Sequence, residues 1–125
     1  MLCTAGCFAA LILLAVVVID VSLHRTETMG EVHRQPASVR YDDASVHYAG
    51  VVHSRSLLFD RHRSHDLYTG RYRDLGYGHF VRLGFGRPGR RPVIKTVDWS
   101  GRGVRVAFTS GHEVFVPARH FVGGR

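Results

Sequence analysis

The densest concentration of side chains able to do chemistry is Asp60-Arg61-His62-Arg63-Ser64-His65-Asp66. Imidazole and carboxylate are ligands that zinc-like ions prefer, which makes His62, His65 and Asp66 the candidate metal ligands. On a helix His62 and His65 would share a face, but the flanking pattern is that of a loop. Arg61 and Arg63 beside them would oppose a divalent cation, and the sequence contains neither H-E-x-x-H nor C-x-x-C. The segment is therefore read as a solvated loop, with no metal and no cofactor expected. Among the nine histidines of the chain, His47 and His53 are read as strand positions and His112 as a turn residue.

The second concentration is cationic. Gly86-Arg87-Pro88-Gly89-Arg90-Arg91-Pro92 must be a loop, because its prolines and glycines punctuate any regular element. Arg87, Arg90 and Arg91 are the candidates for contact with an anion. The glycines resemble a phosphate-binding loop only superficially: Pro88 and Pro92 lack the N–H donors it would use, and no helix follows. Tyr72, Tyr77, Phe80 and Phe85 lie nearby in sequence, and arginine with stacked aromatics is how single-stranded nucleic acid is held on β folds. Alternation assigns Phe85 to the core, so nucleic acid is disfavoured as a partner. No G-x-S-x-G nucleophile turn occurs, and no residue is assigned a catalytic role.

The elements that must carry these residues begin with an uncharged run from Met1 to Ile19, followed by Asp20. A helix of that length spans roughly 28 Å, close to the thickness of a bilayer's hydrocarbon core. Its aliphatic side chains favour insertion, and Asp20 belongs at the interface. The run lacks the basic start and the small-residue cleavage site of a signal peptide. Thr4-Ala5-Gly6-Cys7 precedes the apolar stretch, whereas a lipidated cysteine would follow it. The expectation is thus an uncleaved, single-pass anchor over residues 1–23 at the cell membrane, contacting the lipid bilayer. Arg25, Arg34 and Arg40 after the span favour a cytoplasmic C-terminal domain, although basic residues upstream of Met1 would reverse that orientation.

Residues 24–44 read as a juxtamembrane linker, being polar, containing Pro36 and lacking sustained apolar periodicity. From residue 45 to 125 the pattern is β. Val46, Tyr48, Val51 and Val52 suggest a strand, Ser56–Phe59 and Leu67-Tyr68 a hairpin, and His79–Phe85 a further strand. The clearest signal follows. Val93, Val97 and Trp99, then Val104, Val106 and Phe108, then Val114 and Val116 alternate around Ser100–Gly103 and Ser110-Gly111-His112, an antiparallel meander. Ala118–Phe121 reads as one helical turn, with Phe121 capping a core that includes Val81, Trp99, Val106 and Phe108. The expected fold class is a single transmembrane α-helix followed by a small, mostly antiparallel all-β domain, as a curled sheet or partly open barrel.

The phrase Leu67-Tyr68-Thr69-Gly70 with Gly76-Tyr77-Gly78-His79, and the tail from Gly111 to Ala118 ending in Gly123-Gly124-Arg125, resemble small, uncharacterised, single-span membrane-anchored proteins of GC-rich Gram-positive bacteria. That resemblance implies neither an activity nor site residues. All basic residues but Lys95 are arginine, and the formal net charge is +7, so anionic partners are favoured. The functional expectation is a non-enzymatic, membrane-tethered β domain binding a protein or cell-envelope component. The alternatives are a membrane-associated metal-dependent hydrolase using the 60–66 cluster and a basic domain clamping anionic lipid.

Overall fold

The computed structural model describes residues 2–56, 58–59, 62–85 and 90–123, with side chains for all of these but 2, 3, 21, 24, 62 and 63. Among the described residues a helix, α1 (Leu2–Ser22), precedes seven strands, β1 (His24–Arg34), β2 (Tyr48–Ser56), β3 (His62–Gly70), β4 (His79–Arg82), β5 (Ile94–Ser100), β6 (Gly103–Phe108) and β7 (Glu113–Pro117), and a short 3-10 turn (Ala118–His120) follows. Strands β1-β2-β3-β4 form one antiparallel sheet in chain order and β5-β6-β7 a second.

Strand alternation divides each sheet into two faces. In the first sheet Val51 pairs with Leu67 and Leu67 with Val81, so these three share a row on the inner face. In the second, Val104, Val106 and Phe108 alternate inward along β6, with Val116 of β7 opposite Val104. The two inner faces form one core that also takes in Leu83, Tyr41 and Phe121. The segment after β4 carries the chain from one sheet to the other, so the expected single curled or barrel-like sheet is replaced by two separate sheets face to face. Val106 and Phe108 are buried as the sequence predicts, whereas Val81 and Trp99 are only partly covered at the edge of this core.

The N-terminal expectation is overturned. Among the described residues no helix is long and apolar enough to cross a membrane. Asp20, at its end, does not face an interface: its side chain is buried, and Oδ1 accepts the N–H groups of Leu58 (2.8 Å) and Phe59 (2.9 Å) in the β2–β3 connection. The polar end of α1 is thereby fastened to the first sheet. The single-pass anchor and the cell-membrane location are corrected accordingly.

The expected 24–44 linker is corrected in part, because residues 24–34 are edge strand β1. Its register with β2 shifts between Met29 and His33, where Gly30 takes φ 72°. That bulge explains why no period-two pattern is visible in the sequence. The rest of the segment folds back across the end of the molecule. Tyr41 donates from its hydroxyl to the Ser100 carbonyl at 2.8 Å. His47 is fully buried, with Nδ1 2.8 Å from Gln35 Oε1 and Nε2 2.9 Å from Asp43 Oδ2. The same Asp43 oxygen accepts the Gly123 N–H at 3.1 Å, tying this segment to the C-terminal turn. The rings of Tyr41, His47 and Phe121 pack edge-on at 5.2–5.3 Å and close the core at this end.

Candidate binding surface

The outer face of the first sheet carries a second, smaller core of Val52, Tyr68 and Leu75, flanked by Val32 and Tyr48. Gly50 and Phe80 stand either side of Tyr68 in register. The connection between β3 and β4, residues 71–78, is folded down onto this face. Tyr68 fastens both limbs: its hydroxyl accepts the Tyr72 N–H (3.0 Å) and donates to the Tyr77 carbonyl (2.8 Å). One phenol thus uses its donor and an acceptor site together. Burial raises its pKa above the ordinary tyrosine value, partly offset by the Tyr72 N–H.

Glycine is required where the backbone crosses the Tyr68 ring. A Cβ on Gly78 would lie 2.6 Å from Tyr68 Cε2 and 2.9 Å from the Thr69 carbonyl oxygen. Within the loop, Leu75 N–H bonds to the Tyr72 carbonyl (3.1 Å) and Gly76 N–H to Asp74 Oδ1 (3.0 Å), which makes two successive tight turns. Leu75 is held at φ 58°, uncommon for a residue with a bulky side chain. Its side chain is buried over Gly50, where an added Cβ would come within 2.8 Å of Leu75 Cδ1. Burial of Leu75 offsets its backbone strain, a combination that occurs where surrounding structure over-determines a conformation.

This framework displays aromatic side chains outward. Tyr72, Tyr77 and Phe80 are exposed at 47%, 64% and 42%. The Tyr72 and Tyr77 rings meet at 6.2 Å and 76°, while Phe80 packs against Tyr68 at 5.3 Å. Exposed Arg71 and Arg73 flank Tyr72, and His79 and His120 stand 4.9 Å apart at the adjoining edge. Burial, with the neighbouring His120, lowers the His79 pKa.

Of the residues singled out as metal ligands, His65 and Asp66 do not converge. The expected loop over residues 60–66 is largely strand β3, and adjacent strand residues point to opposite faces. His65 is buried on the inner face, stacked on its cross-strand partner His53 at 4.6 Å. Asp66 lies on the outer face, accepting from Ser64 Oγ (3.0 Å) and 3.7 Å from the Arg82 guanidinium. The His62 side chain lies outside the described residues. Among those described, no group of three or more His, Cys, Asp or Glu could hold a metal ion. Of the anion-contact candidates, Arg87 lies outside the described residues, and Arg90 and Arg91 are exposed.

Sequence reasoning noticed Tyr72, Tyr77 and Phe80 beside Arg87, Arg90 and Arg91, and did not single out Arg71 and Arg73, which flank Tyr72. The available signal was Gly70, Gly76 and Gly78 around Tyr77, which marks backbone packed closely on a ring. No protein-family model, no curated protein and no solved structure matches the chain.

Proposed function

We propose that this chain is a non-enzymatic binding domain whose 71–80 segment engages an acidic surface of a partner protein. The observation that carries the reading is the Tyr68-fastened loop, which presents two exposed tyrosines and two arginines on a preorganised backbone. Tyrosine and arginine dominate the energetics of protein interfaces, and a rigid loop reduces the ordering cost of association. The ring geometry favours a protein over a glycan or nucleic acid. Tyr72 and Tyr77 stand nearly perpendicular, so they offer no flat platform for sugar rings or bases to stack on. They form instead a ridge suited to a pocket. Arg71, Arg73 and the net charge of +7 supply complementarity to an acidic rim.

A photoreactive residue placed at position 77 tests this in cells of the source organism. The expected result is a discrete protein adduct, lost when Arg71 and Arg73 are both changed to Glu. A probe at Asp98 on the second sheet should give none. Equal adducts from positions 77 and 98, or adducts to lipid or glycan alone, would refute the reading.

A further inference from the structure

We propose that the cleft formed by the end of β1 and the segment after it is a binding site for a free aliphatic carboxylate. The cleft has a volume of about 710 Å³ and is lined by residues between Arg34 and Val46. That volume falls within the range of small-molecule sites, roughly 300–1,000 Å³. Its apolar surface comes from Pro36, Ala37, Val39, Ala44 and Val46.

The polar side chains lining it fall into two groups. Gln35, Tyr41 and Ser45 are engaged within the protein. Gln35 Oε1 accepts the His47 N–H at 3.0 Å, and its Nε2 donates to the Val39 carbonyl. Tyr41 donates from its hydroxyl to the Ser100 carbonyl, and Ser45 Oγ donates to that of Asp43 at 3.3 Å. Arg34 and Arg40 differ. Both are exposed, and among the described residues neither guanidinium has an ion pair. No Asp or Glu lines the cleft among the described residues. The nearby Asp43 carboxylate is taken up by His47, Ser45 and Gly123. Guanidinium groups bind carboxylate oxygens through charge-assisted, often bidentate, hydrogen bonds. Two unopposed guanidinium groups beside an apolar wall thus call for an anionic oxygen group at one end of the ligand and hydrocarbon at the other.

The walls are formed in advance. Val39 N–H bonds to the Pro36 carbonyl (3.1 Å) and Ala44 N–H to that of Tyr41 (3.0 Å), which makes two tight turns. Ala44 is held at φ 54°, uncommon for a residue with a Cβ. A fixed loop reduces the ordering cost of binding. An alkyl chain suits the site better than a ring, because Tyr41, the aromatic lining residue, is buried and offers no open face for stacking. A free acid suits it better than a lipid headgroup, whose hydrocarbon stays within the bilayer. This site shares no residue with the 71–80 segment, so its failure would leave the protein-binding reading untouched.

Titration of the full-length protein with octanoate, followed by amide NMR, tests the proposal. Octanoate is expected to shift the amides of residues 34–46 saturably, with an affinity of about millimolar. Hexanoate should bind about fivefold more weakly, having two fewer methylenes to bury. Octanol, with the chain but no charge, and glycerol phosphate, with a headgroup charge but no chain, should not saturate. Arg34→Gln and Arg40→Gln, both exposed changes, should each weaken octanoate by about fivefold. Arg105→Gln, on the outer face of the second sheet, should leave it unaltered. Absence of saturable shifts at 34–46, no gain from hexanoate to octanoate, or equal binding of either control ligand would each overturn the assignment. So would wild-type affinity in Arg34→Gln or Arg40→Gln, or an equal loss in Arg105→Gln.

Discussion

A single phenol holds the loop that the proposed interface depends on, and removing one oxygen measures how much. Tyr68→Phe keeps the ring that packs against Leu75 and Phe80 but leaves the Tyr72 N–H and the Tyr77 carbonyl without their shared partner. Leaving such groups unsatisfied costs about 1–3 kcal/mol. The stability loss should appear in urea denaturation, together with faster amide exchange at Tyr72 and little change in the β5–β7 sheet. Gly103→Ala should be more damaging. Gly103 takes φ 153° and faces β7, where an added Cβ would lie 2.9 Å from Pro117 Cα. Both atoms are backbone-anchored, so the turn must open or the strand must move. Strain of this kind costs about 2–4 kcal/mol, and a denaturation midpoint equal to wild type would show that the turn has another conformation available.

At the level of elements, legibility followed how each one is stabilised. Strands β5, β6 and β7 were readable because each turns one face toward the core and the other away from it, and Ser100–Gly103 and Gly111 mark their turns. Strand β1 was hidden because HRTETMGEVHR has no apolar stripe. An edge strand draws its stability from backbone pairing with β2, and side-chain pattern carries no record of that. The charged start of β3 read as a loop for the same reason. The 71–78 loop was half legible: its glycines and tyrosines stand in the sequence, but the approach of Gly78 to the Tyr68 ring is a tertiary fact. Helix α1 was misread because Asp20 looked like an interfacial residue, whereas it is the acceptor for two N–H groups of the β2–β3 connection. Asp20→Ala should therefore cost about 1–3 kcal/mol and deprotect the Leu58 and Phe59 amides in hydrogen exchange. Asp20→Asn retains an acceptor oxygen and should recover most of that protection. Equal protection in Asp20→Ala and wild type would show that the helix end is held by something else.

For the molecule as a whole, the closure of the core by Tyr41, His47 and Phe121 makes stability depend on pH in a predictable sense. The oxygens of Gln35 and Asp43 at its two nitrogens favour a doubly protonated His47 ring, but burial opposes the charge more strongly, with Arg71 adding to it. The net His47 pKa lies below its ordinary 6.5. Burial alone would raise Asp43, yet the Gly123 and Ser45 N–H groups and the His47 ring outweigh it and hold the carboxyl below its ordinary 3.8. Both groups bind protons more readily in the unfolded chain, so both stabilise the fold above their unfolded values and lose that contribution on acidification. His79, also lowered, acts in the same direction as His47. Stability should first decline as the pH falls below about 6.5 through the depressed histidine values, and again below about 3.8 through that of Asp43. At the alkaline end the sign reverses. Burial pushes Tyr41 up to about 12, so its contribution is complete below pH 10 and fades as the pH climbs towards 12. Urea midpoints measured between pH 4 and 8, the range where histidine titrates, should fall towards acid in the wild type. His47→Gln should be less stable at pH 8 yet show a flatter decline, because the titrating ring is gone while a polar side chain remains beside Asp43. If His47→Gln keeps the full wild-type slope and His79→Gln abolishes it, the acid sensitivity belongs to the His79–His120 edge instead of the closed end of the core.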